Sequence, residues 1–434
     1  MRLIDSLAST PELAQIFSDR SIVQAMLDFA AALARAEAQV GVIPHSAAEA
    51  ITRLSKAEAF DAAQLARLAQ QSLRAGTMSI PLVKELTDRV RSADPESAKF
   101  VHWGATSQDV ADTAIVLLLR RASTILAADH IRILEALRRS SDEHAATVML
   151  GRTLLQPAPP ITLGLKIAGW FGALRRGWAR LEAAFAETMI VELGGSSGTL
   201  AALGEHGIAV RAALAAELQL QNADAPWHTH RDRLAAVICA CGIYTGSLAK
   251  MARDISLLMQ GEVGEVAEPG SKGRGGSSTM PHKQNPTACS LTLAAANRVP
   301  GLVASFLFGM AQEHERGAGG WQAEWATIAP VIEATGLALE SMTEVAEGWS
   351  VDASRMRANI EATGGLIFAE RAMMLLGPGM GRDAAHKVLE EAVRHAKLAD
   401  VLAEYLSPEE IRELNTPESY LGSAETFRKQ LLTP

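Results

Sequence analysis

Two adjacent serines, a lysine and an asparagine fall within one stretch, Gly275-Gly276-Ser277-Ser278-Thr279-Met280-Pro281-His282-Lys283-Gln284-Asn285-Pro286. A serine hydroxyl is too weak an acid to give up its proton unaided near neutral pH. It does so only where backbone amides and a nearby cation stabilise the alkoxide. Gly275 and Gly276 free the backbone to take dihedrals that other residues avoid, and Pro281 and Pro286 stiffen the rest of the segment. Such a segment can close over a ligand while holding its polar groups in place. A solvated, flexible turn has the same Gly/Ser-rich composition, so composition alone does not separate the two readings.

Four further segments carry polar groups beside expected helix starts. His102-Trp103-Gly104-Ala105-Thr106-Ser107-Gln108-Asp109 contains a capping box, Thr106 with Asp109. That box is a sufficient structural reason for both residues. The same geometry, with free amides, the positive end of a helix dipole and two hydroxyls, also suits a carboxylate. Gly151-Arg152-Thr153-Leu154-Leu155-Gln156-Pro157 reads as a pre-helical loop offering an arginine, a threonine and a glutamine. His314-Glu315-Arg316, in another glycine-broken loop, could cap a helix or present Arg316 to an anion. His228-Thr229-His230 has no cysteine or carboxylate cluster beside it in sequence and reads as surface polarity; no metal site is expected.

These segments must be positioned by helices. The chain has 434 residues, 48% of them apolar and only 5% aromatic, with long Ala/Leu/Arg/Glu-rich runs that favour helix over sheet. Apolar residues recur at three- and four-residue spacing through 106–148, 158–191, 228–262, 285–312 and 321–349, as in Val110, Ala114, Leu117, Leu118 and Ile125. Five helices, each expected to exceed about 25 residues, bury such stripes only by lying side by side, so an all-α fold built on a long-helix bundle is expected. Shorter helices flank it. The expected division is an N-terminal helical domain over 1–105, the bundle over 106–350 and a C-terminal helical domain over 351–434.

The net charge of −8 argues against a nucleic-acid partner, which needs a basic face. No apolar run of about 18 residues suggests a membrane span, and the first residues lack the apolar stretch of a signal peptide. Cys239, Cys241 and Cys289 lack the spacing of a zinc site or disulfide framework and read as buried thiols of a cytoplasmic protein.

Three separated segments, Thr106-Ser107-Gln108-Asp109, Gly151-Arg152-Thr153 with Gln156, and the 277–286 loop, together resemble the signature regions of the fumarase/aspartase superfamily. The resemblance implies homotetramers whose long helices form one central bundle, with active sites shared between subunits and no organic cofactor. It implies chemistry on a bond beta to a carboxylate through an aci-carboxylate intermediate. By the same resemblance Ser277 handles the proton and Lys283 and Asn285 hold a substrate carboxylate. His102, Thr106, Ser107, Thr153, Gln156, Ser278 and Met280 would line the substrate pocket, with Arg316 a further candidate.

Departures separate the branches. The adenylosuccinate lyase branch carries a general-acid histidine where this chain has Leu154, and phosphate-binding groups where it has Leu7-Ala8 and Trp325. The branch that lactonises 3-carboxy-cis,cis-muconate is more similar, in 102–109, Ile80-Pro81-Leu82-Val83-Lys84, His314-Glu315-Arg316, Trp321 and Glu324-Trp325. Its nucleophile is a carboxylate of the substrate, already ionised with a pKa near about 4, so no general acid is needed at that oxygen and Leu154 is tolerable. The substrate expected is therefore a small tricarboxylate. A fumarate-releasing lyase, and a helical tetramer retained for bulk after loss of activity, are the alternatives.

Overall fold

Residues 108–119 are buried on every side of the first long helix, and beyond them the fully buried Ala122, Leu126, Ile133 and Leu137 keep the three- and four-residue spacing of a single core face. The computed structural model describes residues 3–270, 275–276, 279–280, 283–395 and 398–433. Its principal elements in chain order are α1 (Ser107–Glu143), the hairpin β1 (Val148–Thr153) and β2 (Gln156–Thr162), α2 (Leu163–Thr188), α3 (Asp232–Leu258), β3 (Val266–Ala267), α4 (Thr287–Phe308), α5 (Gly320–Gly348) and β4 (Ser350–Val351). Shorter helices precede and follow them. The five expected long helices are present, although α4, with 22 residues, is shorter than expected.

The chain forms two compact units. The first comprises 1–129, 177–246 and 294–340. Here the helix Asp19–Val40 starts at Ser18, whose side chain accepts from Ser21 N–H, and stops at the left-handed Gly41. Its buried face is largely alanine, from Ala25 to Ala38, which lets Gly207–Leu218 and His45–Leu54 pack closely against it. A Cβ on Gly336 of α5 would come within 2.0 Å of Leu13 Cδ1, so glycine there admits the leucine.

The second unit comprises 130–176, 247–293 and 341–434. Here the structure departs from the sequence expectation: residues 148–162 are not helix margin and loop but an antiparallel hairpin. Pro157, Pro159 and Pro160 remove donors from β2, which a two-stranded hairpin tolerates because one edge of each strand is unpaired. The pairing slips between Leu150 and Gly151, where a Cβ would meet Pro159 O at 2.4 Å. Val148 and Leu150 anchor the hairpin in a core with Phe368, Leu376, Leu389, Leu398 and Leu414.

Two helices, α3 and α4, are long and apolar enough to cross a membrane by length and composition, contrary to the expectation that no such run exists. The apolar window of α3 is 56% buried, as in a core helix, whereas that of α4 is only 22% buried. Cys241 and Cys289 are buried, Cys239 is half-buried, and all three are free thiols.

Candidate active site

Asp109, in the first turn of α1 and fully buried, reaches back to accept the Thr106 N–H at 2.8 Å, which is the side-chain-to-backbone return of the expected capping box. The same carboxylate accepts from Gly194 N–H at 2.9 Å and Gly195 N–H at 3.0 Å. His228 Nε2 lies 2.6 Å from its Oδ1. The expectation that His228 is surface polarity is therefore wrong: it is 4% exposed, and only His230 of the pair is solvent-facing. Its partners lie far away in sequence, so no local pattern reveals them.

Glu192 stands beside this pair, its Oε1 3.5 Å from His228 Nε2 and its Oε2 accepting from Trp227 N–H at 2.7 Å. Burial, with Asp109 and Asp112 nearby, pushes its carboxyl well above the usual range. Asp109, Glu192 and His228 place three possible ligand atoms within 4.8 Å of one another. Three N–H donors and the His228 ring already occupy both oxygens of Asp109, so the chemistry of the set suits a hydrogen-bonded brace better than a cation.

A second buried group continues from it. Arg231 contacts Asp112 at 2.7 and 3.1 Å and Glu324 at 2.9 and 2.5 Å. Burial disfavours its charge, but the two carboxylates outweigh burial and raise its pKa. Asp112 also accepts from Trp321 Nε1 at 2.9 Å and Gln108 Nε2 at 3.0 Å. None of Glu192, Asp112 and Arg231 stands out in the sequence. The available signal is a pair of acids, Asp109 and Asp112, inside an otherwise apolar first stretch of α1.

Arg316 donates to Gly195 O at 2.6 Å, Ser196 O at 3.1 Å and Gln108 Oε1 at 3.0 Å. It thus ties the 194–196 loop to the start of α1. Thr106 and Ser107 are half-buried beside it. His102, also half-buried and left-handed with φ 61°, is held toward its neutral form by burial against the opposing pull of Asp109. His102, Thr106, Ser107 and Arg316 therefore gather around one helix start.

The other candidates belong to the second unit. Thr153 and Gln156 are the last pair of the hairpin and are exposed on either side of its turn. Arg152 makes a bidentate bridge, 3.0 and 2.6 Å, to the fully buried Glu265, which also accepts from Asn359 at 2.7 Å. It braces the hairpin. The turn residues Leu154 and Leu155 are left-handed, with φ 52° and 66°, and are 96% and 74% exposed.

In the serine loop, Gly275 takes φ 68°, and its carbonyl accepts from Asn285 N–H at 2.9 Å and Asn285 Nδ2 at 3.1 Å. These bonds tie Gly275 to Asn285. Lys283 is exposed, its N–H donating to Met280 O at 3.0 Å, and Met280 is 42% exposed. Glu268 accepts from Ala288 and Cys289 N–H at 3.0 and 2.8 Å and so fixes the start of α4 next to the loop. Ser277 and Ser278 lie outside the described residues.

Residues 7–301 match the family model described as lyase. The chain belongs to this family, within the fumarase/aspartase superfamily. Among family members, the 3-carboxy-cis,cis-muconate cycloisomerase of Bradyrhizobium diazoefficiens is 45% identical over 441 residues, covering 99% of this chain and 97% of its own. The crystal structure of the 3-carboxy-cis,cis-muconate lactonizing enzyme from Pseudomonas putida matches with a TM-score of 0.94 at 44% identity, over 100% of this chain and 98% of that one. The nitrosuccinate lyase of Streptomyces davaonensis is 40% identical over 436 residues, 96% of this chain and 91% of its own. The all-α superfamily class expected from the sequence is the one found, with two short antiparallel strand pairs added to it.

Proposed function

We propose that this enzyme converts 3-carboxy-cis,cis-muconate to 4-carboxymuconolactone. The observation that carries the reading is the likeness, in sequence and fold and over nearly the whole chain, to enzymes named for that substrate. Leu154 agrees with it: an apolar residue at the tip of the hairpin offers no acid, and lactonisation by an ionised carboxylate requires none at the attacking oxygen.

In the mechanism, one substrate carboxylate adds across a double bond of the same molecule. The electron pair collects on the carbon next to another carboxyl group as an aci-carboxylate, and Ser277 delivers the proton to that carbon. Lys283, Asn285, Thr106 and Ser107 stabilise the developing dianion, and Ser278, Met280, His102, Thr153 and Gln156 line the pocket. Arg316 acts on the substrate less directly, by holding Gln108 and the 194–196 loop beside Thr106 and Ser107. The chemistry calls for no organic cofactor.

The active site is assembled in a cytoplasmic homotetramer, from signature regions of different copies. The low burial of α4, with Leu307 and Phe308 exposed, supports burial of that helix between copies. The domains are 1–105, 106–350 and 351–434, the middle one supplying the shared bundle.

Lactonisation removes the conjugated diene, so ultraviolet absorbance follows the reaction directly. Rapid loss with 3-carboxy-cis,cis-muconate and none with adenylosuccinate is the expected result. Fumarate release from adenylosuccinate without turnover of the muconate would replace this reading by the lyase alternative.

A further inference from the structure

The first unit contains a cavity of about 290 Å³ whose lining includes Leu73, Met78, Ala111, Trp321 and Trp325 and no charged residue. Its position relative to the candidate site is fixed by two links. Ala111 lies one helical turn beyond Ser107 on the same face of α1. Met78 precedes Ser79, whose Oγ donates to Ser107 O at 2.8 Å and meets Thr77 Oγ1 at 2.9 Å. The cavity therefore adjoins the start of α1, where the amides and hydroxyls suited to a carboxylate are found.

Its walls differ in rigidity. Trp321 is 8% exposed, and its indole N–H is held at 2.9 Å by Asp112, itself gripped by Arg231. Trp325, one turn along α5, is half-buried, while Leu73 at 87% exposure stands at the rim. Met78 is a flexible filler able to adapt to the outline of a ligand. The cavity's polar side chains are limited to Ser72, Thr77 and Gln322, so a carboxylate there would have neutral donors and no cation to offset its burial. Uncharged, flat sp² carbon gains both burial and contact with an indole face.

We propose that Trp325, supported by Trp321 and Met78, determines specificity by recognising the planar, conjugated carbon skeleton of the substrate, while the carboxylates remain at Thr106 and Ser107. This deepens the cycloisomerase reading and rests on it for the identity of the skeleton. The consequence is a preference for planar over saturated polycarboxylates of similar charge. A saturated succinyl chain fills the same volume without lying flat on the ring.

The test measures binding rather than turnover, with two unreactive tricarboxylates, benzene-1,2,4-tricarboxylate and butane-1,2,4-tricarboxylate, titrated calorimetrically into the intact protein. The wild type is expected to bind the aromatic compound at least about tenfold more tightly. Trp325→Leu is expected to lose that preference while binding the saturated compound within about twofold of wild type, which also shows that the site is still formed. Met78→Ala, which removes a flexible wall, is expected to reduce the preference in the same direction. Absence of a preference in the wild type, or a preference that survives both substitutions, overturns the proposal. A Trp325-dependent preference in a protein that does not turn over the muconate would sink the assigned reaction and leave the aromatic wall standing.

Discussion

Asp109 Oδ1 and His228 Nε2 are 2.6 Å apart, a contact between residues 119 positions apart in sequence that ties the first turn of α1 to the segment leading into α3. Both side chains are essentially removed from water. The pair lies directly behind Thr106, whose N–H the same carboxylate accepts. The brace therefore has consequences for stability and for substrate binding.

His228→Leu would leave the buried Asp109 with one hydrogen-bond partner fewer. A buried polar group stripped of its partner costs about 1–3 kcal/mol, and more when charged. The urea midpoint is expected to fall accordingly, with KM rising more than kcat falls because Thr106 loses its support. An unchanged midpoint and an unchanged KM would show that the contact supports neither.

Glu37 gives a pH dependence of known sign. It is 1% exposed, its Oε1 has no hydrogen-bond partner, and burial pushes its carboxyl up to about 9 from 4.5. Between those values the folded chain holds a proton that the unfolded chain has released. The stability this group contributes is full below pH 4.5 and is lost as the pH rises toward 9. Glu37→Gln cannot titrate, so its melting temperature should fall less than that of the wild type between about pH 5 and about pH 9. Parallel profiles would contradict the assignment.

The hairpin tip separates folding from function. Leucine in the left-handed region costs about 1–2 kcal/mol, and Leu154 and Leu155 both adopt it while exposed. Asn-Gly is the pair that such a two-residue turn favours. Replacing Leu154 by Asn and Leu155 by Gly together is expected to leave stability unchanged or raise it by about 1 kcal/mol, measured by denaturant unfolding. If the apolar tip keeps water from the substrate in the proposed mechanism, turnover is expected to fall at least about tenfold. Full activity in this variant would remove the tip from the site.

The long helices are legible in the sequence because their apolar spacing is local, and the start of α1 because Thr106 and Asp109 lie within one turn. The 148–162 hairpin is not: its proline-rich second strand carries no alternating pattern, and its register depends on Gly151 meeting Pro159. His228 misleads for a related reason. Its environment is made by Asp109 and Glu192, whose proximity exists only in the fold. Arg316 reads in the sequence as a helix cap or an anion ligand, whereas the Gly195 and Ser196 carbonyls and Gln108, which no sequence pattern reveals, occupy its donors.

The assignment of Ser277 as the proton donor is tested most directly by the turnover of 3-carboxy-cis,cis-muconate by Ser277→Ala beside the wild type, monitored as loss of diene absorbance. Gly275 and Asn285, on either side of Ser277 in the sequence, bond to each other through groups that do not include it, so its replacement should leave folding intact. A fall in kcat of about 10²–10⁴-fold, with KM little changed, is the expected result. Turnover close to that of the wild type would contradict proton delivery by Ser277 and the mechanism built on it.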